Sequence, residues 1–331
     1  MEFRTYINSR NIEVKVLKNK FRGALVGAAI GDSMGMCVEE LPFDEVILHY
    51  GDKITDICEP HPASPASFLK PGETSSEFEI VKIVAQSLAE RKRLDIRDII
   101  ERYIEWYEAE QLHSYVDPSF LVAIEALKDG RDIERGGTSV EGTLPAIPIG
   151  MYHYPNPVLA VEGTKAVVML THRNEIVLDA SSILAVAVGE LLQGRFYLQD
   201  EYGYFIELLK TFVKKDETKF YLDRVKSLLD KDASYEEAID EIGNGSYALE
   251  AVSQALFIFL KTPENTENVI IHAVNSYGNY GGDTDSIALL AGAFAGAYNG
   301  EESIPTNWKV KLVKYKDIVK LSDKLYKVAQ H

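Results

Sequence analysis

Two aspartates in the segment NYGGDTDSIALLAGAFAGAY (279–298) are the residues best suited to chemistry. Asp283 and Asp285 follow a glycine pair and stand two positions apart, so their charges repel unless a cation or a hydroxyl-rich group lies nearby. A hard cation such as Mg²⁺ binds carboxylate and hydroxyl oxygens, and Asp283, Asp285 and Ser286 offer three from one turn. Alternatively, Asp285 or Thr284 caps the helix that follows, which leaves the other aspartate without a role.

The elements that must position these residues are mostly helical. Apolar residues recur every three to four positions, whereas strand-like alternation is absent apart from a weak candidate, RNIEVKVL (10–17). The breaks between these segments are short, and no long low-complexity linker occurs. The pattern predicts an all-α protein with a single compact multi-helix domain over residues 1–331. The most clearly helical segments are 78–92, 96–110, 174–194 and 247–261.

A stripe of glycines marks the first apolar helix. They fall four residues apart, close to one helical turn, so they share one face. Glycine inside a helix costs about 0.5–1 kcal/mol relative to alanine, so four of them indicate that another backbone passes very close. We expect this helix to pack directly against the helix after Asp285, which has a matching face of small residues; alternatively, each stripe packs against a different neighbour. The two stripes are Gly23, Gly27, Gly31 and Gly35, and Ala288, Gly292 and Gly296.

The composition excludes several classes of protein. The formal charge is −16, from 51 acidic and 35 basic residues, and such a surface repels nucleic acid and anionic membranes. The two cysteines, Cys37 and Cys58, form no CxxC or Cys/His motif, which argues against a zinc site and a disulfide scaffold. The first twenty residues are charged and mixed, and no apolar run approaches the roughly 20 residues of a membrane span. We therefore expect a cytoplasmic protein.

Four blocks of the chain, in the correct order, resemble the ADP-ribosylglycohydrolase family. The resemblance extends from about residue 20 to 308, and four ordered blocks are more specific than any one of them. The blocks are FRGALVGAAIGDSMGMCVEE (21–40), IPIGMYHYPNP with LTHRNE (147–175), IGNGSYALEAVSQALFIFL (242–260) and GGDTDSIALLAGAFAGAYNG with IPTNW (281–308).

The resemblance implies a compact, wholly helical fold and a hydrolase that cleaves the N- or O-glycosidic bond of ADP-ribose. The substrate is then an ADP-ribosylated protein or a small ADP-ribosyl compound. The family usually holds two Mg²⁺ ions between an Asp-x-Asp-Thr/Ser motif and a Thr-Asp-Asp-Thr motif nearer the N-terminus. The first motif maps onto Asp283, Asp285 and Ser286.

The second motif departs from the family pattern. The matching residues of PGETSSEFEI (71–80) are Thr74, Ser75, Ser76 and Glu77, so both aspartates have become serine. Thr74 remains as a metal-ligand candidate, and Glu77 restores one carboxylate on a longer arm. The sequence leaves open whether the site binds two Mg²⁺ ions, one or none. The same segment also fits helix-capping boxes from Thr74 to Glu77 and from Ser76 to Glu79, and capping and metal binding are compatible.

With the paired aspartates missing, Glu77 and Glu39 are the candidate catalytic acid/base residues. Glu39 and Glu40 lie in the acidic loop after the first helix, which the family folds over its substrate; a solvent-exposed surface acid is the alternative for Glu39. Gly281 and Gly282 are candidates to present bare backbone N–H groups to ribose or pyrophosphate.

Tyr277 and Tyr280 flank the glycines and are candidates for stacking on adenine or ribose, against the alternative of ordinary packing. We interpret Asp32 as a structural residue at a helix end rather than a ligand. His172 is read mainly as a cap or a satisfied structural group, with proton transfer as the alternative.

The sequence alone leaves three alternative functions. The first is a working ADP-ribosyl hydrolase, or a nearby glycosidase, with an altered metal site. The second is a pseudoenzyme that binds ADP-ribose-like ligands without turnover. The third, an unrelated helical metal enzyme, lacks support because neither a DDxxD nor a His-Asp pair occurs.

Overall fold

The computed structural model describes residues 2–109, 116–131, 133, 136–194 and 202–329, with side chains from residue 13 onward. These residues form sixteen α-helices and two short 3-10 helices, Val140–Thr143 and Glu301–Ser303. Their only β-type pairing is an isolated bridge between Ser139 and Tyr247. The all-α prediction is therefore confirmed. The helices are α1 Glu2–Gly35, α2 Phe43–Tyr50, α3 Ser76–Arg91, α4 Ile96–Glu108, α5 Pro118–Lys128, α6 Ala146–Tyr152, α7 Pro157–Val168, α8 Glu175–Gln193, α9 Tyr202–Lys210, α10 Asp216–Asp230, α11 Tyr235–Ile242, α12 Ala248–Lys261, α13 Thr266–Val274, α14 Thr284–Asn299, α15 Thr306–Lys311 and α16 Tyr315–Ala329.

The weak strand candidate at residues 10–17 is wrong. This segment belongs to α1, which continues without a break into the glycine stripe. Its short alternation of apolar and charged residues did not outweigh the helical pattern that follows it.

The predicted pairing of the two small-residue stripes is confirmed. A Cβ placed on Gly23, Gly27 or Gly31 would lie 2.0–2.2 Å from a carbonyl oxygen of α14. The reciprocal contact holds for Gly292 and Gly296, whose Cβ positions fall against backbone atoms of α1. The two helices thus approach with backbone against backbone, which is why larger residues are absent from both faces.

The C-terminal end of α1 and the N-terminal end of α14 meet at one end of this helix pair. The Thr284 hydroxyl donates to the Gly35 carbonyl (2.8 Å), and the Glu40 amide donates to the Gly282 carbonyl (3.0 Å). Asn244, in the turn before α12, accepts a hydrogen bond from the Asp283 amide (2.8 Å). This end of the fold therefore gathers loops from far-apart parts of the sequence.

A connected apolar core extends from Phe21 in α1 to Tyr326 in α16. Helix α8 is buried on nearly every side, as its almost uniformly apolar sequence predicts. The charged tract 202–241 also folds into helices, and Phe205 and Leu222 anchor it to the core. None of the described helices is long and apolar enough to cross a membrane.

Candidate active site: a buried acidic cluster beneath a cleft

Three carboxylates from three helices converge where α1, α3 and α14 meet. Asp32, Glu77 and Asp285 each place an oxygen atom within 4.8 Å of the other two, and all three side chains are buried. The sequence interpretation of Asp32 as a purely structural residue is therefore incomplete, because it stands in the same cluster as the two predicted site residues.

Ser75 connects Asp32 to Glu77. Its amide donates to Asp32 Oδ2 (2.7 Å) and its hydroxyl to Asp32 Oδ1 (2.5 Å), and the same hydroxyl contacts Glu77 Oε2. Ser75 is also the N-cap of α3, accepting from the Glu77 amide (3.2 Å). Both predicted capping boxes, from Thr74 and from Ser76, are wrong, because the N-cap is the residue between them. Thr74 is half-buried before this cap and does not line the cleft described below.

Asp283, rather than the predicted Asp285 or Thr284, caps α14. Its Oδ1 accepts from the Ser286 amide (3.2 Å), and Thr284 instead holds the end of α1. Asp285 Oδ1 also accepts from the Ser286 amide (2.9 Å). Asp285 Oδ2 and the Ser286 hydroxyl are buried without a hydrogen-bond partner. Two such orphaned oxygens fit the demands of a hard cation, because an unpaired buried polar group is otherwise costly.

Burial and mutual repulsion shift the acids of this cluster toward their neutral forms. Burial first, and the neighbouring Asp285 second, raise the pKa of Asp32 well above its ordinary value. Burial followed by the charge of Glu77 raises the pKa of Asp285, and burial followed by Glu141 raises that of Glu77. A nearby positive charge would reverse these shifts, because it favours the ionised form of a carboxyl group.

A cleft of about 490 Å³ opens above the cluster and is strongly acidic. Among the described residues, none that lines the cleft is basic. Glu39 lies on its wall, only 8% exposed, and burial followed by Asp285 raises the pKa of Glu39 well above its ordinary value. Glu39 is thus placed in the cleft rather than on the open surface. The acidic lining residues are Glu39, Glu40, Glu77, Asp117, Glu141 and Asp283.

Sequence reasoning missed Glu141 and Asp117. Glu141 lies on the 3-10 helix Val140–Thr143, and its Oε1 accepts from the Asp117 amide (2.8 Å). Burial, then the charge of Asp117, raises the pKa of Glu141. Asp117 caps α5 ahead of Pro118, and this Asp-Pro pair is a recognisable helix-start signal. Nothing in the local sequence indicates that either residue faces the cleft.

The glycine pair lines the cleft and is also required by packing. Gly281 has a φ of +90°, and a Cβ there would lie 2.4 Å from the Glu40 carbonyl oxygen. A Cβ on Gly282 would lie 2.3 Å from Asn244 Nδ2. Tyr280 stands at the mouth of the cleft and is 96% exposed. The rim of the cleft therefore presents the glycine backbone, which carries no side chains, and one exposed tyrosine ring.

Tyr277 does not lie where sequence reasoning put it. Its side chain is buried, its hydroxyl donates to Asn275 Oδ1 (3.3 Å), and it lines a separate cavity. The loop turns between Tyr277 and Tyr280, so the two rings point into different spaces. Tyr277 therefore does not line the acidic cleft with Tyr280, and its stacking on a substrate ring stays a prediction.

His172 is a buried structural residue. Its Nε2 lies 3.2 Å from the Ser119 hydroxyl and 3.1 Å from the Ser139 hydroxyl, and its Nδ1 lies 3.0 Å from the Thr171 hydroxyl. Burial lowers the pKa of His172 to about 4. The neutral ring therefore ties together the loops that carry Asp117 and Glu141.

Known proteins resemble this chain over nearly its whole length. An ADP-ribosylhydrolase ARH3 of Danio rerio is 29% identical over 96% of this chain and 93% of its own. The ADP-ribosylarginine hydrolase Tri1 of Serratia proteamaculans is 26% identical over 94% of this chain and 80% of its own. A solved structure described as an ADP-ribosylglycohydrolase-related protein complex shares the fold, with a TM-score of 0.75, 23% identity and coverage of 95% and 99% of the two chains. The sequence model of the ADP-ribosylglycohydrolase family matches residues 13–331, and the chain belongs to that family.

Proposed function

We propose that this protein hydrolyses the glycosidic bond between ADP-ribose, or a related ribosyl group, and a protein side chain or small acceptor. The observation that carries the proposal is the buried cluster of Asp32, Glu77 and Asp285 at the base of a cleft lined by six acidic residues. Its relatives named ADP-ribosylhydrolase ARH3 and ADP-ribosylarginine hydrolase Tri1 support the substrate class. The single domain over residues 1–331, the cytoplasmic location and the lack of nucleic-acid or membrane partners stay predictions.

The residues present fit one divalent cation. Asp32, Glu77 and Asp285 supply carboxylate oxygens, and Ser286, which follows Asp285 in the chain, has a buried hydroxyl without a hydrogen-bond partner. Hard cations such as Mg²⁺ favour this oxygen-only set. Glu77 here takes over a role that the family gives to the aspartates replaced by serine.

A second cation has weaker support from these side chains. The Ser75 hydroxyl, which stands at a lost aspartate position, is already bonded to Asp32 and in contact with Glu77. Asp283 holds the N-terminus of α14 through the Ser286 amide. The proposal is accordingly a one-cation site, with Thr74 and Asp283 outside the ligand set.

A bound Mg²⁺ would supply Lewis acidity, orientation of hydroxyl groups and stabilisation of negative charge. The proton chemistry falls to Glu39, which lines the cleft and whose pKa is raised first by burial and then by the charges of the acids around it. A protonated carboxyl can donate to the departing acceptor, and its carboxylate can then take a proton from the attacking water. Glu77 contributes to the same cleft from its base, where its proposed role as a cation ligand replaces the catalytic one.

Substrate positioning is assigned to the cleft rim. Gly281 and Gly282 present backbone without side chains, so a ribose or phosphate can approach closely. Tyr280, with its exposed ring, is placed to stack on a sugar or base. Asp117 and Glu141 also line the cleft and offer acceptor oxygens to the hydroxyl groups of a bound sugar.

Turnover assays on ADP-ribosyl-arginine and ADP-ribosyl-serine, each with Mg²⁺ and with EDTA, test the proposal. A metal-assisted hydrolase is supported if ADP-ribose is released in Mg²⁺ and no release occurs in EDTA. The competing function is a pseudoenzyme, which the replaced aspartates favour. Calorimetry with ADP-ribose separates the two, because binding without turnover on either linkage would leave only the pseudoenzyme.

A further inference from the structure

A second cavity lies beside the loop that carries the glycine pair. It has a volume of about 150 Å³ and shares no lining residue with the acidic cleft. Residues 275–279 line this cavity, whereas residues 280–283 line the cleft. One short loop therefore separates two distinct spaces, and the second is not explained by the proposed hydrolysis.

Gln254 is the unusual feature of this cavity. It belongs to α12, is fully buried and lines the cavity, yet neither its Oε1 nor its Nε2 has a hydrogen-bond partner. Leaving a buried amide unpaired typically costs about 1–3 kcal/mol, so such a residue is not expected in a space without a polar occupant. A single water is a poor match for the space, since a water accounts for roughly 30 Å³ of liquid.

The other walls are aromatic. Tyr235 and His272 stack with ring centroids 3.6 Å apart and an angle of 14° between planes, and Phe43 lies against Tyr277 with centroids 6.3 Å apart. All four rings line the cavity. Aromatic walls favour a flat, polarisable ligand. A cavity of about this size has held a single aromatic ring compound in another protein, so one small ring system suits the space.

The rim of the cavity carries charges of both signs, one positive and two negative. Lys53 stands beside Glu236 and Asp240, and all three are exposed residues, whereas Gln254 is fully buried. Because both signs are present at the rim and the interior is uncharged, a neutral ligand is favoured over an anion or a cation. An amide such as that of glutamine pairs with the edge of adenine through one donor and one acceptor at once.

We propose that this cavity is a binding site for a neutral planar heterocycle of the adenine type, with its amino edge on the Gln254 amide and its ring among Tyr235, His272 and Tyr277. The ligand is a free base or nucleoside, or the base of a nucleotide that reaches across from the cleft. The site takes no part in the proposed metal and proton chemistry, because none of its lining residues belongs to the acidic cluster.

Calorimetry on the full chain in EDTA, with adenine at up to millimolar concentration, tests the site. One molecule of adenine is expected to bind per chain. Purine, which keeps the ring but lacks the amino donor, is expected to bind at least tenfold more weakly, because the Gln254 oxygen stays unpaired. Absence of adenine binding, or equal binding of purine, overturns the proposal.

The variant Q254M keeps the length of the side chain and removes the amide. Adenine affinity is expected to fall at least tenfold, while the melting temperature of the ligand-free protein rises, because an unpaired buried amide has been removed. The matched control Q86M makes the same change at a half-buried position of α3, away from the cavity, and leaves adenine affinity unchanged. Adenine affinity that is the same in Q254M as in the unmodified chain contradicts the proposal even if Q254M is fully folded.

ADP-ribose binding by the unmodified chain and by Q254M distinguishes a free base from the base of a nucleotide. If the base of a nucleotide occupies the cavity, Q254M loses affinity for ADP-ribose by the same factor as for adenine. If a free base occupies it, ADP-ribose affinity is unchanged and adenine does not compete. A crystal grown with adenine that shows only water against Gln254 would exclude both sources.

Discussion

Gly27 and Gly292 each place a carbonyl oxygen where the other residue would carry a Cβ atom. A Cβ added to Gly27 would lie 2.2 Å from the Gly292 carbonyl oxygen, and a Cβ added to Gly292 would lie 2.2 Å from the Gly27 carbonyl oxygen. The contact is therefore reciprocal and involves backbone on both sides. Because Asp32 and Asp285 are carried by the same two helices, the spacing of this helix pair sets the distance between two of the three clustered carboxylates.

Alanine at either glycine is expected to destabilise the fold strongly. Overpacking usually costs about 1–3 kcal/mol, and these backbone atoms can move aside only if the helices separate. Urea denaturation of G27A and G292A measures the loss. The control is G189A in α8, where the nearest atom to an added Cβ is 3.8 Å away. That variant is expected to gain about 0.5–1 kcal/mol from better helix propensity. Equal stability of G27A and the unmodified chain would contradict the close approach.

Part of this arrangement could be predicted from the sequence because it is encoded in local patterns. The four-residue spacing of Gly23 to Gly35 indicates a close backbone, which α14 supplies, whereas the interpretation of Asp283 and Asp285 as metal ligands stays a prediction. Helix periodicity then gives the all-α class. These signals need no knowledge of how distant segments meet.

The rest depends on tertiary contacts that a single sequence does not display. Asp32 resembles any acid near a helix end, and only the approach of Ser75 and Asp285 places it in the cluster. Glu141 reaches the cleft because its 3-10 helix packs beside the α5 cap, a contact between residues far apart in sequence. Tyr277 was misplaced because the direction of a side chain around a turn depends on backbone angles, not on residue type.

Replacing Glu77 by glutamine is expected to separate metal binding from folding. In EDTA, E77Q should be more stable than the unmodified chain, because one of the repelling buried carboxylates has lost its charge. In the unmodified chain, Mg²⁺ at 100 times its dissociation constant should add about 2.7 kcal/mol of stability, and E77Q should lose most of that gain. Thermal melting in EDTA and across a Mg²⁺ titration provides both measurements.

The control for this experiment is E105Q, which removes one carboxylate from an exposed position of α4. Its response to Mg²⁺ should equal that of the unmodified chain. If Mg²⁺ stabilises E77Q as much as the unmodified chain, Glu77 is not a ligand and the one-cation site is wrong.

Glu39 is expected to control turnover rather than binding. Because it lines the cleft and does not belong to the three-carboxylate cluster, E39Q should keep its affinity for Mg²⁺ and ADP-ribose. The loss of one acid/base group should lower kcat by about 10²–10⁴-fold. Steady-state kinetics with the better of the two ADP-ribosyl substrates measures the change. The exposed residue Glu59 supplies the control E59Q, and equal rates for E39Q and E59Q would remove Glu39 from the mechanism.

His172 is expected to make part of the folding stability depend on pH. Its folded-state pKa is about 4, below the unfolded value of about 6.5, so the unfolded chain takes up a proton first as the pH falls. The stabilisation is therefore complete above about pH 6.5 and is lost progressively between about pH 6.5 and pH 4, to a total of about 3 kcal/mol.

The acidic cluster shifts stability in the opposite direction, so the measurement is a difference. The free energy of unfolding of the unmodified chain minus that of H172Q, from urea titrations between pH 7.5 and 4.5 in EDTA, cancels the contribution of the carboxylates. This difference should fall as the pH falls, because the unmodified chain takes up one more proton on unfolding than H172Q does, at His172, and the other groups cancel. A difference that is constant over this range would show that His172 is not held neutral by burial, and its contacts with Ser119 and Ser139 would then need another explanation.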